Sequence, residues 1–207
     1  MSKKARIIIT GGAFCLILAA LFIIPLINKA PASLSADEVT AFRKQYPIYS
    51  GDSDMASLRH PLLEEYMSDC DTFVYGEVVE GPLYSEKQLS LGDSKPEMGF
   101  DGTSTVKYFI YRISVLDDSK QALKKGEIIE IRQNNIFEQN YPQLKKGMKI
   151  GLGVARSNEE TEFPRYGYMV DGMFYVTDDG YAISVFSEEN QKARSGLHIK
   201  NLLREFS

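Results

Sequence analysis

The chain has 207 residues, enough for one domain with an appendage, which excludes a large multidomain enzyme. Its charge is unevenly distributed: residues 1–32 carry four basic residues and no acid, whereas residues 33–207 carry 20 basic and 28 acidic residues, a net charge of -8. So acidic a remainder lacks the basic footprint of a nucleic-acid-binding domain, and no nucleic-acid partner is expected.

The first predicted element is a transmembrane helix over residues 7–27, behind a basic leader over residues 1–6. Seventeen of these twenty-one residues are apolar and none is charged. At 1.5 Å per residue, such a helix reaches roughly 32 Å, enough to cross a hydrocarbon core of about 30 Å. The basic leader predicts a cytoplasmic amino terminus, so the chain is expected to be a single-pass cell-membrane protein whose signal anchor leaves the rest extracytoplasmic.

A cleaved secretory signal is the alternative interpretation of the same segment. Ala13–Ile24 is an unbroken apolar run of twelve residues, and Ala30-Pro31-Ala32 offers small residues for cleavage after Ala32. Cys15 would lie in the bilayer or be removed with the signal. Cys70 therefore has no partner, and no disulfide is predicted. An exported domain without disulfides is typical of a Gram-positive cell envelope.

Residues 28–67 are predicted to form a linker with two short helices. The first begins at a Ser35-x-x-Glu38 capping box and ends near Tyr46-Pro47. The second covers about Pro61–Met67 and places apolar residues at helical spacing, namely Leu62, Leu63 and Tyr66.

From Asp71 onward the apolar residues alternate, which predicts β-strands. The clearest row is Met148, Ile150, Leu152 and Val154, where a slip of one residue would turn the whole apolar row to water. Lys-Lys-Gly turns precede two strands, and an Asp-Gly turn predicts a final hairpin. The predicted strands are Thr72–Glu80, Thr105–Leu116, Glu127–Gln133, the row from Met148, Gly172–Val176 and Tyr181–Phe186.

The chain is predicted to end in an amphipathic helix over 197–206, with Ser195 as its cap. A long polar loop is predicted over 81–104. Five or six strands with a terminal helix fit a partly closed barrel better than a flat sheet with exposed edges. The predicted fold is mainly β with flanking helices: an OB-like barrel over 68–207 behind the transmembrane helix.

The arrangement resembles uncharacterised secreted or membrane-anchored OB-like β-barrel proteins of Gram-positive bacteria. The resemblance covers roughly 65–206 and implies a barrel on the cell surface, with no catalytic residues to transfer. It rests on four stretches, 68–78, 108–131, 142–147 and 172–176, which read SDCDTFVYGEV, YFIYRISVLDDSKQALKKGEIIEI, PQLKKG and GMFYV.

Thiol chemistry is the enzymatic alternative. A sortase-like transpeptidase needs a cysteine nucleophile with histidine and arginine nearby. The chain offers Cys70 with His60 or His198 and with Arg132 or Arg156, but Cys70 precedes the first strand instead of lying late in the chain. A binding module without a catalytic constellation is therefore the preferred prediction.

Metal sites have little support in the sequence. A zinc site would need nearly every histidine and cysteine outside the apolar segment. Four aspartates offer oxygens to calcium, but their spacing lacks the glycine and distal glutamate of a calcium loop. The four aspartates are Asp52, Asp54, Asp69 and Asp71. No metal or cofactor is predicted.

Surface aromatic residues and lysines are the remaining candidates for binding. Trp is absent, and all twelve tyrosines lie beyond residue 32. Most should be core residues, with two possible binding stripes. One consists of Tyr166, Tyr168, Tyr175 and Tyr181, and the other of Tyr84 and Phe100 on the long loop. Lys124-Lys125 and Lys145-Lys146 are interpreted as solvated turns. The sequence thus predicts an envelope binding or interaction module whose partner is an envelope protein or another surface ligand.

Overall fold

A computed structural model describes residues 33–49, 63–90, 103–134, 142–168, 172–186 and 189–207, all within one compact unit, Ser33–Ser207. The predicted transmembrane segment 7–27 and the cleavage site after Ala32 lie outside the described residues. Among the residues that are described, no helix has the length and apolar character needed to span a membrane.

Two short helices precede the sheet among the described residues. Helix α1, Ala36–Phe42, is capped by Ser35, and the predicted capping box is confirmed because the Ser35 and Glu38 side chains each bond the other's backbone N–H. The helix ends at Phe42, before the predicted Tyr46-Pro47, because residues 43–46 form a turn. Helix α2, Leu63–Ser68, buries Leu63 and Tyr66.

The chain is mainly β, as predicted. Within the described ranges there are seven strands: β1 Thr72–Ser90, β2 Thr103–Asp118, β3 Ile128–Asn134, β4 Lys149–Arg156, β5 Arg165–Gly167, β6 Met173–Val176 and β7 Ala182–Ser184. They form one mixed sheet in the order β1-β2-β3-β5-β4-β6-β7, and β1 also pairs with β4. The pairings of β1, β2, β3, β5 and β4 therefore run in a ring, in which β3 and β5 are parallel.

The prediction of a loop over 81–104 is wrong at both ends, because residues there belong to strands. Strand β1 continues to Ser90 and β2 begins at Thr103, so Leu83–Ser90 pairs with Thr103–Ile110. Beyond the edge of β3, Glu86–Ser90 and Thr103–Lys107 form a two-stranded ribbon. Only residues 91–102 of the predicted loop lie outside the description. A two-stranded ribbon leaves both faces open to water, so it needs no apolar alternation, and its polar residues were misread as a loop.

Strand β4 is buried on both faces. The predicted row of Ile150, Leu152 and Val154 is confirmed, and it packs into a first core inside the ring. The intervening Gly151 and Gly153 do not face water as the alternation suggested, because a second core covers them. That second core includes Phe73 of β1 together with residues from α2 and β6 and from the carboxy-terminal helix.

The carboxy-terminal helix is confirmed with shorter bounds. After helix α3, Glu189–Lys192, helix α4 covers Ile199–Glu205 and buries Ile199, Leu202 and Leu203. Its cap is His198, which accepts a hydrogen bond from the Lys200 N–H, and not the predicted Ser195. The reason is that the chain before α4 is still extended: His198 bridges Tyr181, and Leu197 accepts the Ala182 N–H.

Residues 33–49 belong to the domain, although the sequence predicted a linker up to residue 67. Leu34, Val39, Phe42, Tyr46 and Tyr49 pack against the first core. The Arg43 guanidinium adds hydrogen bonds to the backbone oxygen and the hydroxyl of Ser184 on β7, at 2.5 and 2.7 Å. The compact unit therefore begins at Ser33 and not near residue 68.

Substitution of Gly153 by alanine is expected to destabilise the domain by about 1 to 3 kcal/mol, the usual cost of overpacking a core. A Cβ there would lie 2.7 Å from Met67 Sδ and 2.9 Å from Cys70 Sγ and Tyr66 Cε1. Urea unfolding followed by circular dichroism measures the change. Gly167→Ala is the matched control, because its Cβ would meet only the Ala155 oxygen at 4.0 Å. Equal stability of the two variants would contradict the packing argument.

Candidate binding face

The outer surface of β2 and β3 carries a concentrated group of charged side chains. Alternation along these strands turns Tyr111 and Ile131 into the first core and buries Gln133. Their neighbours Arg112, Glu130 and Arg132 therefore point outward. Residues 157–164, which connect β4 to β5, supply further members of the group. We call the whole group the arginine face: Lys87, Arg112, Arg132 and Arg165 with Glu80, Glu130, Glu159 and Glu162, flanked by Tyr108 and Phe163.

Glu130 is the most buried carboxylate of the arginine face, with 5% of the residue exposed. Its Oε2 accepts from Nη2 and Nε of Arg165 at 2.6 and 3.0 Å, and Arg112 Nε approaches its Oε1 at 3.4 Å. This fork geometry links β2, β3 and β5 through side chains. A buried carboxylate requires such partners, since an unpaired one would be costly.

Glu159 is held by three cations from three strands. Arg132 Nη1 lies 2.7 Å from both of its carboxylate oxygens, Lys87 Nζ lies 2.7 Å from Oε1, and Arg165 Nη1 lies 3.1 Å from Oε2. The hydrogen bonds from Lys87 and then Arg132 are the main reasons that the pKa of Glu159 falls from the ordinary 4.5 to about 2. The carboxylate is therefore ionised at any physiological pH.

Two aromatic rings lie against the guanidinium groups. The guanidinium carbon of Arg112 is 4.5 Å from the centre of the Phe163 ring, and that of Arg132 is 4.5 Å from the Tyr108 ring. Cation–π contacts of this kind hold the flat guanidinium planes in place. The arginines are thus positioned before any ligand arrives.

The chemistry available on the arginine face is recognition of anions. Guanidinium forks match the paired oxygens of carboxylates and phosphates, and aromatic faces beside them accept stacked planar groups. In the part of the chain that is described, the side-chain contacts of Glu130 and Glu159 are to cations.

The residues proposed for thiol chemistry are not brought together among the described residues. Cys70 is 5% exposed in the second core, its thiol lies 3.4 Å from the Tyr66 carbonyl, and burial raises the pKa of the Cys70 thiol. A reactive cysteine needs a lowered thiol pKa.

The other candidates for thiol chemistry lie elsewhere. Arg132 belongs to the arginine face, and His198 caps α4 with its ring edge-on to Tyr181 at 5.5 Å. His60 lies outside the described residues. Arg156 donates its backbone N–H to Asp71 and pairs with Tyr166 of β5.

The aspartates considered as calcium ligands do not form a cluster in the part of the chain that is described. Asp69 is exposed, Asp71 accepts the Arg156 N–H at 2.5 Å, and Asp52 and Asp54 fall outside the description. No group of three or more His, Cys, Asp or Glu within the described ranges is arranged to hold a metal ion.

The possible tyrosine stripe near the last hairpin is not formed, and three of its four members are core residues, as expected for most of the aromatic residues. Tyr166, Tyr168 and Tyr175 are buried in the first core because they occupy inward-facing positions of the ring and of β6. Tyr168 donates to Gln133 Oε1 at 2.9 Å, and Tyr181 is half-buried beside His198.

Tyr84 is the one member of the predicted loop stripe that can be assessed, because Phe100 lies outside the described residues. It is 74% exposed and contacts Phe109 edge-on at 5.1 Å. It borders a pocket of about 100 Å³, which is small against the 300 Å³ or so that a complete small-molecule ligand requires. The other lining residues are Pro82, Phe109, Tyr111, Gln133, Pro142 and Gln143.

Both lysine pairs lie in exposed turns, as predicted. The glycines that follow them, Gly126 and Gly147, have φ of +83° and +86°, a backbone conformation that favours glycine. The lysine residues of these turns are exposed.

Sequence reasoning missed most of the arginine face. Only Arg132 was singled out, and for a different role. Lys87, Arg112, Glu130, Glu159 and Arg165 form no motif, since partners such as Lys87 and Glu159 are 72 residues apart. The available signal was weak: charged residues at every second position of a predicted strand, as in Glu130-Ile131-Arg132.

Comparison with known proteins adds no assignment. No protein-family model matches the chain, and no curated protein matches it significantly.

Glu159→Gln is expected to change how stability depends on pH. The lowered pKa of Glu159 means that its ion pairs stabilise the fold above about pH 4.5 and lose their effect as the pH falls toward 2. The variant should lose about 1 to 2 kcal/mol near neutral pH, allowing for solvent screening, and its stability should fall less steeply on acidification.

Urea unfolding at a series of pH values measures this effect. Glu160→Gln, an exposed neighbour in the same loop, makes the same change of charge and should behave like the wild type. Parallel pH profiles for the wild type and Glu159→Gln would contradict the assignment.

Proposed function

We propose that the chain is a membrane-anchored, extracytoplasmic binding module of the cell envelope, built on an OB-like, partly closed barrel. The anchor is supported by the apolar segment 7–27 and its basic leader. The OB-like barrel is supported by the ring of pairings through β1, β2, β3, β5 and β4, with one core inside the ring. The resemblance to OB-like envelope proteins points the same way.

The arginine face is the proposed binding surface. The observation that carries this proposal is the convergence of three arginines and a lysine, with two aromatic rings, on the outside of β2 and β3. OB folds bind their ligands on the face of strands 2 and 3 and with the loops joining strands 1 to 2 and 4 to 5. Here Lys87 comes from the β1–β2 ribbon, Arg112 and Arg132 from β2 and β3, and Glu159 from the loop between β4 and β5.

Binding is preferred over thiol catalysis because Cys70 is packed inside the second core and has a raised pKa. The partner is proposed to be an envelope protein or another surface component, reached by a domain that lies outside the cell. Release of the same domain as a secreted protein, favoured by Ala30-Pro31-Ala32, changes its location but not its binding face.

Site-specific photo-crosslinking on whole cells tests the binding face. A photoreactive amino acid at Asn158, exposed in the loop between β4 and β5, is expected to form an adduct on illumination. The same group at Lys192, exposed on α3, should form none. Arg132→Gln combined with the probe at Asn158 should reduce the adduct several-fold. Equal adducts at Asn158 and Lys192, or an adduct insensitive to Arg132, would overturn the proposed face.

The topology is tested on the native chain. Sequencing of the mature amino terminus is expected to find residues of the leader, and protease added to intact cells should digest the domain. A mature chain that starts at Ser33 would overturn the anchor in favour of secretion. A domain protected from protease in intact cells would contradict the extracytoplasmic location.

A further inference from the structure

Glu159 and Glu130, the two carboxylates with several cationic partners, lie on different kinds of structural element. Glu130 belongs to β3 and is part of the sheet, whereas Glu159 is carried by the loop between β4 and β5. The cations that hold it come from three strands, and all of these side chains retain solvent access. The exposed fractions are 50% for Lys87, 22% for Arg132, 15% for Arg165 and 25% for Glu159.

The charge balance around Glu159 depends on that one carboxylate. Arg112 has Glu80 at 2.8 Å, and Arg165 has Glu130 at 2.6 Å. Among the described residues, Lys87 and Arg132 have no carboxylate partner other than Glu159. Removing the Glu159 carboxylate would therefore leave two uncompensated cations, beside Arg165, around one position.

The loop that carries Glu159 has backbone–backbone hydrogen bonds at its two ends. Ser157 donates its N–H to the Arg165 oxygen at 2.8 Å, and the Pro164 oxygen accepts the Glu130 N–H at 2.9 Å. Between these points, in residues 158–162, the description contains no backbone–backbone hydrogen bond, and Asn158, Glu160, Thr161 and Glu162 are exposed. The Glu159 ion pairs are thus a main attachment of the middle of the loop.

We propose that Lys87, Arg132 and Arg165 form a binding site for an anionic oxygen group of the partner, a carboxylate or a phosphate, and that Glu159 occupies this site in the free protein. The proposal rests on the proposed function of the arginine face and adds the ligand chemistry and its regulation. Arg132 Nη1 contacts both Glu159 oxygens, and Lys87 and Arg165 each contact one, so the donors already surround a planar anion.

Displacement of Glu159 follows from mass action. A tethered carboxylate competes at a high effective concentration, so a single free anion binds the wild type weakly. A partner that presents an anion together with contacts to the Tyr108 and Phe163 rings overcomes this competition. Neutralising Glu159 removes the competitor and leaves the three cations in place, which makes the site measurable with a small probe.

The test uses the full-length chain purified in detergent micelles and inorganic phosphate as the probe. Binding is measured by calorimetry and by the rise of the unfolding temperature, against chloride at equal ionic strength. Glu159→Gln is expected to bind phosphate about tenfold more tightly than the wild type. Glu160→Gln is the matched control and should equal the wild type.

Two further variants make the result decisive. Arg132→Gln added to Glu159→Gln should abolish the gained affinity. Glu159→Asp keeps the charge but withdraws the carboxylate by one methylene. It should bind phosphate with an affinity between those of the wild type and Glu159→Gln. It replaces Glu159→Gln in the test if that variant does not fold. Equal phosphate affinity of Glu159→Gln and Glu160→Gln, or gained affinity that survives Arg132→Gln, would overturn the proposal.

Acetate, used in parallel, distinguishes the source of the anion. Tightening for acetate as well as phosphate supports a site for either group, and tightening for one alone assigns that one. The crosslinking experiment separates this proposal from the proposed function. An adduct at Asn158 without phosphate binding overturns the anion site alone, whereas phosphate binding without an adduct overturns the binding face alone.

Discussion

The burial of β4 on both of its faces is the constraint on which the rest of the structure depends. Its larger side chains fill the core inside the ring, while Gly151 and Gly153 let the second core approach its other face. Any Cβ at Gly153 would overlap Tyr66, Met67 and Cys70, so α2 would be pushed away. The alternation of large residues and glycines is therefore what allows one strand to join two cores.

The position of β4 in turn builds the arginine face. It pairs with β1, β5 and β6, and its pairing with β5 places Arg165 beside Glu130 on β3. The loop leaving β4 then carries Glu159 to cations from three strands. Arg132 is held by the Tyr108 ring and Arg165 by Glu130, so these two cations keep their geometry when Glu159 leaves.

Local patterns predicted the elements whose cause is local. The capping box at Ser35, the glycine turns after the lysine pairs and the register of β4 are decided by neighbouring residues, and all three are confirmed. The ribbon formed by the ends of β1 and β2 was missed because both of its faces are open to water and no apolar period marks it. The tyrosine stripe remained a possibility beside the expected core roles because period alone does not tell an inward aromatic row from an outward one. Tyr166 and Tyr175 are core residues.

The sequence by itself determined the separation of a basic, apolar amino-terminal segment from an acidic domain, and the mainly β character of that domain. These follow from composition and alternation, which are properties of neighbouring residues. Only the tertiary structure decided the arginine face. Lys87, Arg132 and Arg165 become neighbours through strand pairing across as many as 78 positions of the chain, and Glu159 reaches them from a loop. Charges so distant in sequence carry no shared local pattern, so their meeting is set by the ring of strands alone.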